Sequence, residues 1–150
     1  MMWRRARASD DEAIVRMSVS LYEEDPGSRS IARKDVECTL ETFRREPGRG
    51  CCVVLEREGV VVGYAFLVAF WSNEYGGEIC TIDELFVDTS QRGRGLATDL
   101  ILALAQKSDL FMTSAVALAL EVTPNNARAR SLYERLGFSA KNILMRKTLA

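Results

Sequence analysis

Histidine is absent from the 150 residues of the chain, and its absence removes several kinds of catalytic site. Ser-His and Cys-His nucleophile pairs are excluded, and a zinc site would have only cysteine and carboxylate ligands. A surplus of charge is also missing, since 20 basic and 21 acidic residues leave a net charge of -1. Because binding to nucleic acid or to an anionic membrane surface depends on a basic excess, we expect neither partner.

Long apolar runs are lacking too, since none approaches the ~18 residues that a membrane-spanning helix requires. The opening MMWRRARASDDE is charged where a secretory leader is apolar, so we expect a cytoplasmic protein. The four cysteines form no C-x-x-C pair, and adjacent cysteines are poorly placed for a metal or a disulfide. We therefore expect buried thiols and no metal site from Cys38, Cys51, Cys52 and Cys80.

The length and the 47% of hydrophobic residues predict a single domain over residues 1–150, with no repeat or long linker. Ser9 and Glu12 have the spacing of a capping box, which predicts a first helix that ends before residue 25. The apolar spacing over 32–45 predicts a second helix, and the segment at 25–33 between the two is expected to be irregular.

The hydrophobic pattern changes to that of strands after residue 50. Residues 51–57 and 60–70, joined by a Glu-Gly turn, predict an antiparallel hairpin. After a surface loop at 71–77, a further strand is expected at 78–87. Residues 116–122 are apolar almost throughout, which predicts a central strand covered on both faces. Because a helix connects these last two strands, they should run parallel and make the sheet mixed.

The end of the chain predicts a helix over 126–136, stopped by Gly137, and a final strand at 143–149. The expected order of elements is therefore βααβββαβαβ. This is an α/β fold with α+β character, in which a mixed central sheet is flanked by helices.

A glycine-rich turn joins the strand at 78–87 to the amphipathic helix that follows. Gly93 and Gly95 allow a sharp turn and a close backbone approach, and the amides of residues 94–98 form the unpaired first turn of the helix. Such amides bind anions, so the expected ligand carries phosphate. The turn lacks the Lys-Ser/Thr of a Walker loop and follows an antiparallel hairpin, which argues against ATP hydrolysis and a dinucleotide site. An ordinary strand-to-helix turn is the alternative.

Two separated motifs resemble the GNAT superfamily of acyl-CoA-dependent N-acetyltransferases. The family signature Arg/Gln-x-x-Gly-x-Gly/Ala is met by Arg92, Gly95 and Ala97. A second family element matches without a gap at Asn126, Ala129, Leu132, Tyr133, Glu134, Gly137 and Phe138. The resemblance is strong over residues 60–149, whereas the N-terminal helices match only in order and spacing.

The resemblance implies acetyl-CoA as a cosubstrate and no metal. In that family the diphosphate rests on the signature amides and the pantetheine pairs with the first of two parallel strands. A β-bulge and a splay between strands 4 and 5 would leave the amides needed for this pairing free. The residues expected to bind the cofactor are Leu85, Phe86, Val87, Arg92, Gly93, Arg94, Gly95, Leu96, Ala97, Thr98, Asn126 and Arg130. For Arg130 a solvated helix face is an equal alternative.

Transfer to an amine needs a neutral nucleophile, support for an oxyanion and a proton for the departing thiolate. Tyr133 matches the family's general acid, and the resemblance makes a backbone amide near Leu85 or Phe86 the oxyanion donor. A base or a water chain must relieve the ammonium group of its proton, and without histidine the candidate bases are carboxylates. Asp83 and Glu84 resemble the acidic pair of polyamine acetyltransferases, and one of these alternating side chains should face the cleft. Solvation or pairing with an arginine is the alternative.

The sequence thus predicts acetyl transfer from acetyl-CoA to a primary amine of a small cationic or amino-group-bearing metabolite. Acidic residues where the family builds its acceptor wall would attract such a cation, namely Glu23, Glu24, Asp25, Glu74 and Glu78. The alternatives are acetylation of a protein N-terminus or lysine, and a module that binds acyl-CoA without catalysis. The identity of the acceptor, the length of the acyl chain and the choice between monomer and homodimer stay open.

Overall fold

The computed structural model of the protein describes residues 2–27, 29–106, 108–111 and 114–149. Within them five strands form one sheet in the order β1-β2-β3-β4-β5. Their bounds are Met2–Arg5 for β1, Gly50–Arg57 for β2, Val60–Ser72 for β3, Gly77–Val87 for β4 and Ala117–Leu120 for β5. The first four strands are antiparallel neighbours and β5 runs parallel to β4, so the predicted mixed sheet is confirmed.

Four helices accompany this sheet in the described part of the chain. They are α1 at Asp11–Glu24, α2 at Arg33–Arg45, α3 at Leu96–Ala105 and α4 at Ala127–Arg135. As predicted, α1 and α2 precede the hairpin of β2 and β3, α3 connects β4 to β5, and α4 follows β5. None of the described helices is both long and apolar enough to cross a membrane.

Each face of the sheet has its own hydrophobic core, because alternate residues of a strand point to opposite faces. The α1 and α2 side is formed by Ile14, Met17, Val36, Leu40, Val54, Tyr64, Phe66 and Phe86. The α3 side is formed by Val53, Leu55, Ala65, Leu67, Cys80, Ile82, Leu96, Leu100 and Leu104. The sheet is therefore the middle layer of a three-layer domain.

The position of β5 differs from the prediction. It lies at the edge of the sheet, and its four residues are half-buried instead of covered on both faces. The final strand expected at 143–149 is not formed, and Ile143, Met145 and Leu149 are 90%, 87% and 90% exposed. An apolar strand can be central only when a second neighbour pairs with it, and no described residue pairs with the outer edge of β5.

The start of α1 also differs from the prediction. Residues Ala8–Asp10 form a turn of 3₁₀ helix before α1, so the helix does not begin at the expected capping box of Ser9 and Glu12. The carboxylate of Asp10 instead accepts a hydrogen bond of 2.7 Å from the amide of Arg7. This contact closes the turn that leads into the helix.

Three of the four thiols follow the prediction, since Cys52 and Cys80 are buried and Cys51 is half-buried. Desolvation raises the pKa of all three thiols, to about 12 for Cys80. Cys38 is exposed, which corrects the expectation of four buried thiols. The apolar face of α2 is formed by Val36 and Leu40, and Cys38 lies between them on the polar side.

Gly50, at the point where α2 packs on β2, provides a test of how tightly these two elements pack. A β-carbon added at Gly50 would lie 2.5 Å from the carbonyl oxygen of Leu67 and 2.8 Å from the ring of Phe43. The β2–β3 ladder fixes the first neighbour and the packing of α2 fixes the second. We expect Gly50→Ala to lower the free energy of unfolding by ~1–3 kcal/mol, as overpacking does, measured by urea unfolding.

Gly48→Ala is the matched control, because a β-carbon there meets nothing within 4 Å. Its free energy of unfolding should stay within ~0.5 kcal/mol of the wild-type value. Equal stability of the two alanine variants would contradict the tight crossing at Gly50.

Candidate active site

The two parallel strands separate part of the way along their length. Pairing between β4 and β5 runs from Ile79 opposite Ala117 to Ile82 opposite Leu120. Beyond that point β4 continues to Val87 with a partner only on its β3 side. The strands therefore splay, as predicted, and a gap opens beside the second half of β4.

A β-bulge lies at the mouth of this gap. Phe66 of β3 pairs with Glu84 of β4, while the next residue, Leu67, pairs with Ile82. Asp83 is therefore the extra residue of β4. A bulge of this kind changes the side to which the following backbone groups point.

The backbone beyond the bulge presents unpaired groups to the gap. The amide of Asp88 donates a hydrogen bond of 2.8 Å to the carbonyl of Val62 in β3. Bonded and non-bonded pairs alternate along antiparallel strands, so Phe86 also points to β3. Leu85 and Val87 then direct their amides and carbonyls to the gap. Leu85 and Val87, two of the three residues expected to bind pantetheine, therefore turn their backbone groups to the gap.

The glycine-rich loop leads from β4 into α3. Gly93 and Gly95 have φ of 77° and 75°, in the left-handed region that favours glycine. The amide of Asp99 is the first in the helix to bond within it, to the carbonyl of Gly95 at 2.9 Å. The amides of residues 96–98 therefore have no partner within the helix. This is the backbone geometry that an anion site requires.

Arg92 is engaged by three neighbours. Its Nε donates to the gap-facing carbonyl of Val87 at 2.7 Å, its Nη2 lies 2.8 Å from Oε2 of Glu24 at the end of α1, and its guanidinium lies 5.1 Å from the ring centre of Phe86. The positive charge of Arg92, which was expected to face a phosphate, is therefore paired with the carboxylate of Glu24. Arg94, two residues along, is exposed.

The side chains of the two α4 residues that were expected to contact the cofactor interact within the helix instead. Oδ1 of Asn126 accepts a hydrogen bond of 3.2 Å from the amide of Ala129 and so caps α4. Arg130 forms an exposed ion pair of 2.8 Å with Glu134 one turn later. Both side chains lie near the start of α4, which packs on the α3 side of the sheet.

Tyr133 lies on the α3 side of the sheet. Its ring is half-buried, packs edge-to-face against Phe138 with ring centres 5.9 Å apart, and joins the same core as Leu85 and Val87. Burial raises the pKa of the phenol. The hydroxyl therefore keeps its proton at neutral pH, which is the state that a general acid needs.

Glu84 accepts hydrogen bonds from three hydroxyls. Ser18 of α1 and Tyr64 of β3 donate to Oε1 at 3.0 and 2.6 Å, and Tyr22 of α1 donates to Oε2 at 3.0 Å. Desolvation raises the pKa of the carboxyl, although the three hydroxyls act in the opposite direction. The carboxylate of Glu84 therefore belongs to the α1 side of the sheet.

Ile82 packs on the α3 side, so alternation along the strand directs the next side chain, that of Asp83, to the α1 side, as for Glu84. Asp83 remains exposed. Partial desolvation and the neighbouring Glu121 raise the pKa of its carboxyl, against the effect of Arg146. Both acidic groups act on the pKa of Tyr22 in α1. The bulge places the two consecutive side chains together, which corrects the expectation that they alternate.

The structure separates the acidic residues that were expected to form one acceptor wall. Glu24 and Asp25 lie near the gap, where Asp25 accepts a hydrogen bond of 3.0 Å from Thr123 beyond β5. Glu74 and Glu78 belong to the turn and first residues of β4, at the opposite end of that strand. A strand rises about 3.3 Å per residue, so Glu78 is too far from Asp83 to join it in one site.

Sequence reasoning missed Ser18, Tyr64 and Glu121 around the bulge and Trp3 at the loop. Ser18 gave a signal, because a polar residue four positions after Ile14 interrupts the apolar face of α1. Glu121 approaches Asp83 only through the fold. The carbonyl of Leu96 at the start of α3 accepts a hydrogen bond of 2.9 Å from the indole of Trp3 in β1, a contact over 93 residues of sequence.

Among the described residues, the gap coincides neither with a group of metal ligands nor with one of the two open cavities. In the described ranges no group of three cysteine, aspartate or glutamate residues could hold a metal ion. Two cavities of about 580 and 170 Å³ lie beside β1, lined in part by Arg4 and Asp10 and by Arg5 and Cys51 respectively. They flank the opposite edge of the sheet.

Comparison with known proteins agrees with this architecture. The model of the acetyltransferase (GNAT) family matches residues 15–138. The fold is similar to that of a protein described as a possible acetyltransferase from Clostridium difficile 630, with a TM-score of 0.83, 21% identity and coverage of 99% of this chain and 97% of that one. No curated protein matches the chain significantly in sequence.

Two further solved structures are similar over nearly the whole chain. An integron cassette protein from the mobile metagenome of Cole Harbour Salt Marsh has a TM-score of 0.80 at 25% identity, covering 99% of this chain and 90% of that one. Ribosomal-protein-alanine N-acetyltransferase from Brucella melitensis biovar Abortus 2308 has a TM-score of 0.73 at 18% identity, covering 98% and 100%.

The environment of Asp83 predicts a pH-dependent effect on stability. A carboxyl whose pKa is raised by folding loses stability as the pH rises from its ordinary value, about 4, through the raised one. Since the pKa of Asp83 is raised, Asp83→Asn should melt at a higher temperature than wild type at pH 7, with a smaller difference at pH 4. Thermal unfolding followed by circular dichroism measures both.

Asp109→Asn is the control for this effect, because Asp109 is exposed and lies near β1 through a hydrogen bond from Arg5 to its carbonyl. This substitution removes the same single negative charge, but at a position that is not beside Glu121. A lower melting temperature for Asp83→Asn than for wild type at pH 7 would contradict the account of Asp83.

Proposed function

Because the chain belongs to the GNAT family of acetyltransferases, we propose that it transfers an acetyl group from acetyl-CoA to a primary amine of a small cationic or amino-group-bearing metabolite by direct attack. The gap between β4 and β5 beside the first turn of α3 carries this proposal. An extended ligand with amides at one end and a diphosphate at the other can pair with the strand and rest on the helix. Coenzyme A has this chemistry.

The cofactor would contact backbone more than side chains. Leu85 and Val87, with Phe86 between them, offer gap-facing groups to the pantetheine amides. The diphosphate would meet the loop and the first turn of α3, formed by Arg92, Gly93, Arg94, Gly95, Leu96, Ala97 and Thr98. Asn126 and Arg130 stand at the start of α4, where their side chains would exchange helix contacts for the ligand.

The acceptor amine must lose a proton before it can attack. With a pKa near 10.4 it is almost wholly protonated at pH 7, and Asp83 and Glu84 are the carboxylates beside the gap. Their raised pKa values favour proton acceptance, because a stronger base has a higher pKa. The freed amine forms the new C–N bond at the thioester carbonyl carbon, and collapse of the resulting tetrahedral oxyanion then breaks the C–S bond.

Tyr133 is the proposed general acid. Its side of the sheet is that of Leu85 and Val87, whereas the two carboxylates lie on the α1 side. An acid on one face of the gap and a base on the other would keep proton removal from nitrogen apart from proton delivery to sulfur. The Leu85 amide, which points into the gap, is the proposed donor to the negative carbonyl oxygen.

The charge around the acceptor side supports a cationic acceptor. Glu121 is close enough to Asp83 for its charge to raise the pKa of the Asp83 carboxyl, and Arg146 is the cation beside them. Arg146 contacts Glu121 at 2.8 Å through an exposed pair, which solvent makes weak. A cationic amine could therefore replace it at small cost.

Acetylation of a protein amine is the second candidate. The end of the β3–β4 hairpin exposes three aromatic side chains, since Phe70, Trp71 and Tyr75 are 60%, 64% and 58% exposed. An exposed aromatic surface of this kind suits a polypeptide more than a small metabolite. The structural neighbour from Brucella melitensis is named as an enzyme that acts on ribosomal-protein alanine.

A panel of acceptors separates these candidates. Release of free CoA from acetyl-CoA should rise above the acceptor-free rate with polyamines, aminoglycosides or basic amino acids, and a peptide with a free N-terminus should give less. Release that is highest with the peptide would favour the protein substrate. Binding of acetyl-CoA with no acceptor-dependent release would support a non-catalytic module.

The acid role of Tyr133 predicts a loss of turnover without a loss of binding. Tyr133→Phe keeps the ring and its packing but removes the proton donor, so kcat should fall by about 100-fold or more. The Kd of acetyl-CoA, measured by calorimetry, should stay within about twofold because the diphosphate contacts are untouched.

Tyr75→Phe is the matched control for Tyr133→Phe, since Tyr75 is an exposed tyrosine on the β3–β4 hairpin. Its kcat with the best small amine should equal that of wild type. Wild-type turnover in Tyr133→Phe would remove the phenol from the mechanism.

A further inference from the structure

The two neighbouring carboxylates of the bulge have different surroundings. Both oxygens of Glu84 are occupied by hydroxyls, and two of the three donors, Ser18 and Tyr64, are 0% exposed. Tyr22 covers the remaining oxygen. Asp83 is exposed and has no side-chain hydrogen bond among the described residues.

The bulge also reverses the direction of the backbone along β4. Before it, the carbonyl of Glu78 accepts a hydrogen bond of 2.8 Å from the amide of Val116, so the even-numbered residues of β4 point to the β5 side. After it, the odd-numbered Leu85 and Val87 point there. Without the extra residue, the even-numbered positions would continue to face the gap and Leu85 would turn to β3.

The side chains reverse with the backbone. Cys80 and Ile82 pack in the core on the α3 side, whereas Phe86 packs on the α1 side. If the register slipped by one residue, every later side chain would move to the other face. Glu84 would then enter the apolar core of the α3 side and lose its three hydroxyl donors. Its hydrogen bonds are therefore available only in the bulged register.

On the proposed function, we infer that Glu84 is a positioning residue that holds the bulged register and so aims Leu85 and Val87 at the cofactor, while Asp83 is the carboxylate that touches the acceptor amine. Glu84 acts through the backbone that it fixes. Its donors come from α1 and β3, so it joins the helix to the strand pair at the bulge. Asp83, as the extra residue, is free of this task and faces solvent.

Three variants separate the two roles. In Glu84→Gln the amide oxygen can accept from Ser18 and Tyr64 and the amide nitrogen can donate to Tyr22, so the register should hold. We expect kcat to fall by less than about tenfold, well short of the loss of a general base, and the acidic limb of the pH profile to stay in place. Glu84→Ala removes all three contacts, and its Kd for acetyl-CoA should rise by about tenfold or more through misdirected amides.

Asp83→Asn should impair catalysis and leave the binding of acetyl-CoA unchanged. Its Kd for acetyl-CoA, measured by calorimetry, should stay within about twofold of wild type because the register is untouched. Its kcat should fall by about 100-fold or more and lose the acidic limb of the pH profile, since the proton acceptor is gone. The pH profile is the readout that a merely structural role would not move.

The inference would be overturned if Glu84→Gln lost the acidic limb, or if Glu84→Ala bound acetyl-CoA as tightly as wild type. If Glu84→Ala does not fold, Tyr64→Phe removes the shortest of the three contacts. It must then weaken acetyl-CoA binding by about threefold or more, and wild-type binding would reject the inference. A wild-type protein without binding heat would reject the proposed function itself, and this inference with it.

Discussion

β4 and β5 share four residue pairs and then diverge, and the whole site depends on that divergence. A strand with one neighbour leaves half of its backbone groups without a partner in the sheet, and such groups are costly when buried. Here they open beside the first turn of α3, which also carries unpaired amides. The fold thus gathers two sets of unpaired backbone groups, from a strand and from a helix, at one place.

The bulge divides the chemistry between the two faces of the sheet. Asp83 and Glu84 both lie on the side of α1, while Leu85 and the ring of Tyr133 join the core on the side of α3. The gap lies between these two groups, at the part of β4 that has no β5 partner. A reacting centre within it could exchange protons with different groups on either side.

The sequence was sufficient for features with a local cause. Helical spacing, the hairpin turn and Gly95 at the start of α3 depend on neighbouring residues, and all were predicted correctly. Two of the failures have a non-local cause. The outer neighbour of β5 depends on where residues 143–149 go, and the common side of Asp83 and Glu84 depends on a register set by β3. The hydroxyls around Glu84 come from two elements far apart in sequence, and no short sequence motif predicts that they lie together.

The contact between Arg92 and the carbonyl of Val87 has a kinetic consequence. A strand-like molecule entering the gap need not peel β5 away, because no ladder closes that edge of β4. The guanidinium is the one group to be exchanged at Val87, and it is tied by an exposed ion pair to Glu24 that water competes for. Under the proposed function, the Arg92 side chain would leave Val87 by rotation, which exposed side chains complete within nanoseconds.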